Sequence, residues 1–156
     1  MDMKLFFEKC EELKVDAVIV PDVPFEEKAE VEAVCASHGA ALISMIAPTS
    51  ESRIKAIASE AKGFIYVVSS MGVTGVRNEF STDLESIVRS IRQVTDVPCA
   101  IGFGISTPEQ ARKMAGVSDG AIVGSAVVRL IAQHGSEAAP YIYDYVKSMK
   151  EAVLEA

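Results

Sequence analysis

Three glycine-bearing turns, Gly72-Val73-Thr74-Gly75, Gly102-Phe103-Gly104-Ile105-Ser106 and Gly124-Ser125-Ala126, each directly follow a short apolar run. A glycine after a strand bares backbone N–H groups, and these hold a phosphate without help from a lysine. Any one of the three is equally well a tight turn and nothing more. Three in succession, each at the end of an apolar run, point to a site for a phosphorylated small molecule at one end of a parallel sheet.

Rival chemistries find less support. Gly102 and Gly104 lack the third glycine of a dinucleotide fingerprint, because position 107 is Thr107. No GxxxxGK[ST] loop occurs. The better fit is the barrel phosphate site, built by the loops after the last two strands and the N-terminus of a short extra helix, with Gly104, Gly124 and Ser125 in those places. Tyr66 lies mid-strand on the face of Phe64 and Val68, either as a core tyrosine or with its hydroxyl at the ligand end of a barrel. Asp22, between Pro21 and Pro24, is an acid/base candidate at a strand end, and a turn residue is the simpler reading. His38 and His134 each precede a glycine at a helix end, where an imidazole caps carbonyls. With no GxSxG turn and no His/Asp/Glu cluster at ligand spacing, triad hydrolysis and metal catalysis are not expected.

These residues must be positioned by the elements around them. Five runs, 17–20, 41–46, 64–68, 98–101 and 120–123, are short, nearly continuous and rich in β-branched residues, the pattern of parallel strands covered on both faces. Helical segments alternate with them. Glu27 to His38 ends at Gly39 and Ser52 to Lys62 at Gly63, each a natural position for a left-handed cap. Thr82 with Glu85, and Thr107-Pro108-Glu109-Gln110, read as helix starts. Further helices are expected from Ser125 and from about Pro140 to Glu155. The longest connection, through Arg77-Asn78-Glu79-Phe80, is a candidate lid. The expected fold class is α/β, with consecutive parallel βα units.

At 156 residues and 49% hydrophobic, the chain is expected to form a single α/β domain over 1–156. A net charge of −7 opposes nucleic acid or an anionic membrane as partner. Cys10, Cys35 and Cys99 are odd in number, unpaired by motif and set in apolar surroundings, which suits reduced core thiols and a cytoplasmic location. No signal-peptide pattern is read at Met1-Asp2-Met3-Lys4, and no run approaches the length of about 20 residues that spans a bilayer.

Val20-Pro21-Asp22-Val23-Pro24, the stretch from Tyr66 through Ser69-Ser70-Met71-Gly72-Val73-Thr74-Gly75-Val76-Arg77, Gly102-Phe103-Gly104-Ile105-Ser106 with Pro108-Glu109-Gln110, and Gly124-Ser125-Ala126-Val127-Val128 together resemble the tryptophan synthase alpha subunit. The similarity runs along essentially the whole chain. It implies a (βα)8 TIM-type phosphate-binding barrel, of which this sequence would hold about five of the eight strands. The implied reaction is a lyase step of tryptophan biosynthesis, cleaving indole-3-glycerol phosphate to indole and glyceraldehyde 3-phosphate. No cofactor is implied, and a beta subunit is the implied partner. By position, Gly75, Gly104, Gly124 and Ser125 would hold the phosphate, and Thr74 would lie on a closing loop. Tyr66 would sit in the active site in a supporting role, with Phe103 and Ile122 against the indole ring.

The resemblance also implies a gap. The family's two proton-transferring carboxylates, a glutamate on the second strand and an aspartate just after it, match no residue here. Positioned acids and bases contribute about 10²–10⁴-fold each, so the chain alone is expected to be inert. Open strand edges and an uncovered apolar face favour self-association. Two alternatives are a non-catalytic phosphate-binding or assembly module and another sugar-phosphate barrel enzyme, such as an isomerase or epimerase.

Overall fold

Five apolar runs become strands whose order in space follows their order in the chain. The computed structural model describes residues 3–69, 84–102 and 104–156. The turn at 72–75, with Thr74 and Gly75, the candidate lid, Thr82 and Phe103 lie outside the described residues. Strands β1 (Ala17–Val18) and β2 (Ala41–Leu42) pair in parallel, and β3 (Ser44–Ile46), β4 (Ile65–Val68), β5 (Cys99–Gly102) and β6 (Gly120–Ile122) are successive parallel neighbours. The expected single strand 41–46 is divided at Ile43, whose N–H donates to Val18 O at 2.9 Å. Its first half serves one ladder and its second half the other. Neighbours in unbroken sequence order match barrel topology, whereas a doubly wound sheet reverses its order at a switch point.

Register separates two faces. Ile46, Ile65, Val67, Cys99 and Ile101 are fully buried on one of them. There they pack against Ile54 and Ile57 of α3 (Glu51–Ser59), Ile87 and Ile91 of α4 (Leu84–Arg92), Met114 of α5 (Pro108–Ala115) and Met149 of α7 (Ala138–Leu154). Burying an isoleucine or valine completely contributes about 1.5–3 kcal/mol, so this layer is the main store of stability. On the inner face, register aligns Met45, Tyr66, Ala100 and Gly120, then Val68, Gly102 and Ile122. All but Gly102 are only half-buried. The strands are thus covered by helices on one face, where the apolar pattern suggested two. β-branched residues suit a barrel interior as well as a helix interface, so the pattern alone does not separate these cases.

Helix α1 (Met3–Glu12) and α2 (Lys28–Ser37) carry a second small core of Phe7, Cys10 and Cys35, flanked by Val18 and Leu42. All three cysteines are free and buried. Gly39 (φ +73°) adopts the left-handed conformation expected directly after the C-cap of α2, whereas α3 ends at Ser59, short of the expected Lys62, so Gly63 (φ +69°) is a left-handed turn residue ahead of β4 and not the cap of α3. The histidines do not cap carbonyls with their rings. His38 Nδ1 lies 2.7 Å from Glu11 Oε2, tying the end of α2 to α1. The His134 ring stacks on Tyr141 at 3.6 Å, across the corner from α6 (Ser125–His134) into α7. In both cases a partner brought by the fold outcompetes the solvent-exposed carbonyls. At the N-terminal end of the strands, Asp119 accepts from Cys99 N–H at 2.6 Å and pairs with Arg92.

Candidate functional site

The site is built outward from the Gly102 and Ile122 pair at the ends of β5 and β6. Gly104 and Gly124 each lie two residues beyond that pair, so both turns leave the sheet at the same level and on adjacent strands. Tyr66 reaches the same place from β4. A Cβ added to Gly102 would meet Tyr66 Cε1 at 2.9 Å and would fall closer still to Cζ and Oη. The phenol ring therefore occupies the space of the side chain that Gly102 lacks. Burial raises the Tyr66 pKa above its ordinary value, which keeps a neutral O–H donor there at physiological pH.

The two glycines differ in what the chain demands of them. Gly104 has φ +78°, a left-handed conformation that disfavours any side chain. Gly124 has φ −116° and ψ −69°, and a Cβ there would meet nothing within 4 Å among the described residues. Neither a positive φ nor a described neighbour requires glycine at 124. It is the N-cap of α6 and makes no side-chain cap bond. The bond from Val128 N–H to Gly124 O, at 3.1 Å, leaves the amides of residues 125–127 ahead of it at the positive end of the helix dipole. α5, after the neighbouring strand, is closed instead by a capping box. There Thr107 Oγ1 accepts Gln110 N–H at 3.3 Å, and Gln110 Oε1 accepts Thr107 N–H at 3.2 Å.

Tyr66, Gly104, Ile122, Gly124 and Ser125 are thus gathered at the C-terminal ends of β4, β5 and β6. Thr74, Gly75 and Phe103 lie outside the described residues. Asp22 lies beyond the C-terminal end of β1, in a turn closed by Val23 N–H to Val20 O at 3.3 Å. Among the described residues no three His, Cys, Asp or Glu side chains group as a metal site, and no helix is long and apolar enough to cross a membrane. Sequence reasoning missed the role of Gly102 as the seat of Tyr66. It also missed Tyr145, whose hydroxyl donates to Ser106 O at 2.9 Å. The first was hidden because strand register is needed to set the two residues side by side. The second joins residues 39 apart in sequence.

Parallel strands in chain order, helices on the outer face and paired glycine turns at the strand ends define a β/α-barrel architecture, of which the described strands form an arc. The sequence profile of the tryptophan synthase alpha chain matches residues 1–154. This chain belongs to the tryptophan synthase alpha chain family. The tryptophan synthase alpha chain of Lactiplantibacillus plantarum is 50% identical over 149 residues, covering 95% of this chain and 56% of that protein. The chain therefore spans little more than half the length of such relatives. The solved alpha subunit from Campylobacter jejuni superposes with a TM-score of 0.75 at 30% identity, over 97% of this chain and 58% of that one. A chain of the tryptophan synthase α2β2 complex of Pyrococcus furiosus gives 0.75 over 96% of this chain and 59% of that one, and at 24% identity it speaks for the fold alone.

Proposed function

We propose that this chain carries the phosphate-binding half of an alpha-type lyase site of tryptophan biosynthesis, acting on indole-3-glycerol phosphate. The observation that carries the reading is Gly124, a glycine required neither by its φ nor by any described neighbour, at the head of α6, where it offers no side-chain cap. Absence of a Cβ there lets a phosphate approach the amides of residues 125–127 closely. Gly104 shapes the adjoining turn, and Gly75 is assigned to the same phosphate by family resemblance. Ile122 offers an apolar contact for the indole ring, with Phe103 beside it and Thr74 on a closing loop by the same resemblance. Tyr66 is a neutral donor at the rim.

Retro-aldol cleavage needs a proton delivered to indole C3 and another removed from the glycerol hydroxyl. The inner-face positions Met45, Tyr66, Val68, Ala100, Gly102, Gly120 and Ile122 include no carboxylate. This supports binding without turnover by the chain alone, and equally favours the reading of a phosphate-binding module. A beta subunit is the partner the family implies. The half-exposed inner face and the edges of the arc favour self-association, which light scattering across a concentration series would detect.

Gly124→Ala separates the phosphate role from a structural one. An N-cap favours glycine over alanine, so Gly124→Ala should cost about 0.5–1 kcal/mol in urea unfolding and leave the chain folded. Affinity for glycerol 3-phosphate, read by calorimetry, should fall at least tenfold. Unchanged affinity refutes the reading. Incubation with indole-3-glycerol phosphate should release no indole, and release abolished by Tyr66→Phe would refute the inactivity.

A further inference from the structure

The turn after β5 is held from outside the site by the C-terminal helix. Ser106 has both backbone groups engaged by side chains: its N–H donates to Gln110 Oε1 at 2.9 Å, and its carbonyl accepts the Tyr145 hydroxyl at 2.9 Å. Gln110 belongs to α5, the helix the turn leads into, and Tyr145 to α7. Two residues before Ser106, Gly104 stands in the left-handed conformation at φ +78°, and between them Ile105 is buried in the main core. Tyr145, Met149 and Val153, spaced by four along α7, pack against that core, and α7 touches both α5 and α6. One helix thus braces the two elements that follow the two glycine turns.

We infer that Tyr145 is a positioning residue, holding the 104–107 turn through the Ser106 carbonyl in the conformation that receives the phosphate. The inference rests on the phosphate reading of the site. It adds that the docking of α7 is felt at the ligand through a single hydroxyl. Burial raises the Tyr145 pKa, with Arg129 pulling the other way, so the hydroxyl stays a donor through neutral pH.

Tyr145→Phe keeps the ring and its packing and removes only the donor. The hydrogen bond it deletes corresponds to about a three- to tenfold change in an equilibrium constant. Amide exchange followed by NMR should therefore quicken by that factor at 105–107, while core amides such as Ile101 and Val67 keep their rates. Affinity for glycerol 3-phosphate should weaken by about the same factor. Tyr143→Phe, at a tyrosine on the same helix that is 67% exposed, is the control and should alter neither. A uniform rise in exchange, unchanged exchange at 105–107, or a loosened turn with unaltered affinity would each overturn the inference. A wild-type chain without affinity for glycerol 3-phosphate would overturn the phosphate reading and the ligand half of this inference together. The exchange rates would still decide whether Tyr145 clamps the turn.

Discussion

Placing a methyl group on Gly102 tests the geometry of the site most directly. The φ of Gly102 lies outside the left-handed region, so alanine brings no backbone strain, and the three described atoms nearest its Cβ all belong to the Tyr66 phenol. Forcing a ring from its place in a packed site costs about 1–3 kcal/mol. Against this, alanine in a strand gains about 0.5–1 kcal/mol over glycine through the unfolded state. Gly102→Ala should therefore destabilise the chain by about 1–2 kcal/mol in urea unfolding. In a Tyr66→Ala background the obstacle is gone, and the same substitution should stabilise by about 0.5–1 kcal/mol. The coupling between the two positions is then about 1–3 kcal/mol, well beyond the 0.3–0.5 kcal/mol within which independent sites add. Tyr66→Phe should not relieve the clash, because Cζ and Cε1 remain. Additivity of Gly102→Ala and Tyr66→Ala would mean that the ring is not seated on Gly102, and the placement of the Tyr66 hydroxyl at the strand ends would fall with it.

Gly104→Ala should cost about 1–2 kcal/mol from left-handed strain, since its Cβ would meet no described atom within 4 Å; a loss below about 0.5 kcal/mol in urea would mean the turn relaxes. Thr107→Ala opens the capping box of α5 and should cost about 1 kcal/mol, measured the same way. At Asp119, burial raises the pKa, but the Cys99 N–H and the Arg92 guanidinium outweigh it and hold the carboxyl below its ordinary range. Its contribution is therefore complete above the unfolded value of about 3.9 and is lost as pH falls through the lower folded value. The two side chains are 34% and 46% exposed, so Asp119→Asn should cost only about 1 kcal/mol at pH 7. Wild type and variant should converge in acid, and a constant gap down to pH 2 would contradict the assignment.

Periodicity and punctuation made most of the fold legible. Short apolar runs rich in β-branched residues mark the strands, and Gly39 and the Thr107 to Gln110 box mark helix ends that the structure repeats, while α3 stops at Ser59, short of the end expected at Gly63. These signals are local, carried by φ preference and hydrogen bonds within four residues. What stayed hidden depends on register and on partners distant in sequence. The same sequence pattern for 41–46 allows one strand or two, and only the competing ladders to β1 and β4 decide. His38 and His134 have the spacing of caps, yet Glu11 and Tyr141 are better partners once the helices pack.

The glycines of the two turns make the same point about function. Gly104 is glycine because of its backbone, and its sequence context announces a turn. Gly124 looks no different in sequence, but its φ is open to other residues and no described residue lies within 4 Å of a Cβ placed there. A glycine that neither its backbone nor its described neighbours require is the stronger indication of a ligand that does. On the proposed reading the head of α6, more than the glycine-rich turn after β5, is where a phosphate would rest. Gly124→Ala should then impair binding by far more than its N-cap cost of about 0.5–1 kcal/mol explains, while Gly104→Ala should impair stability through its backbone as well.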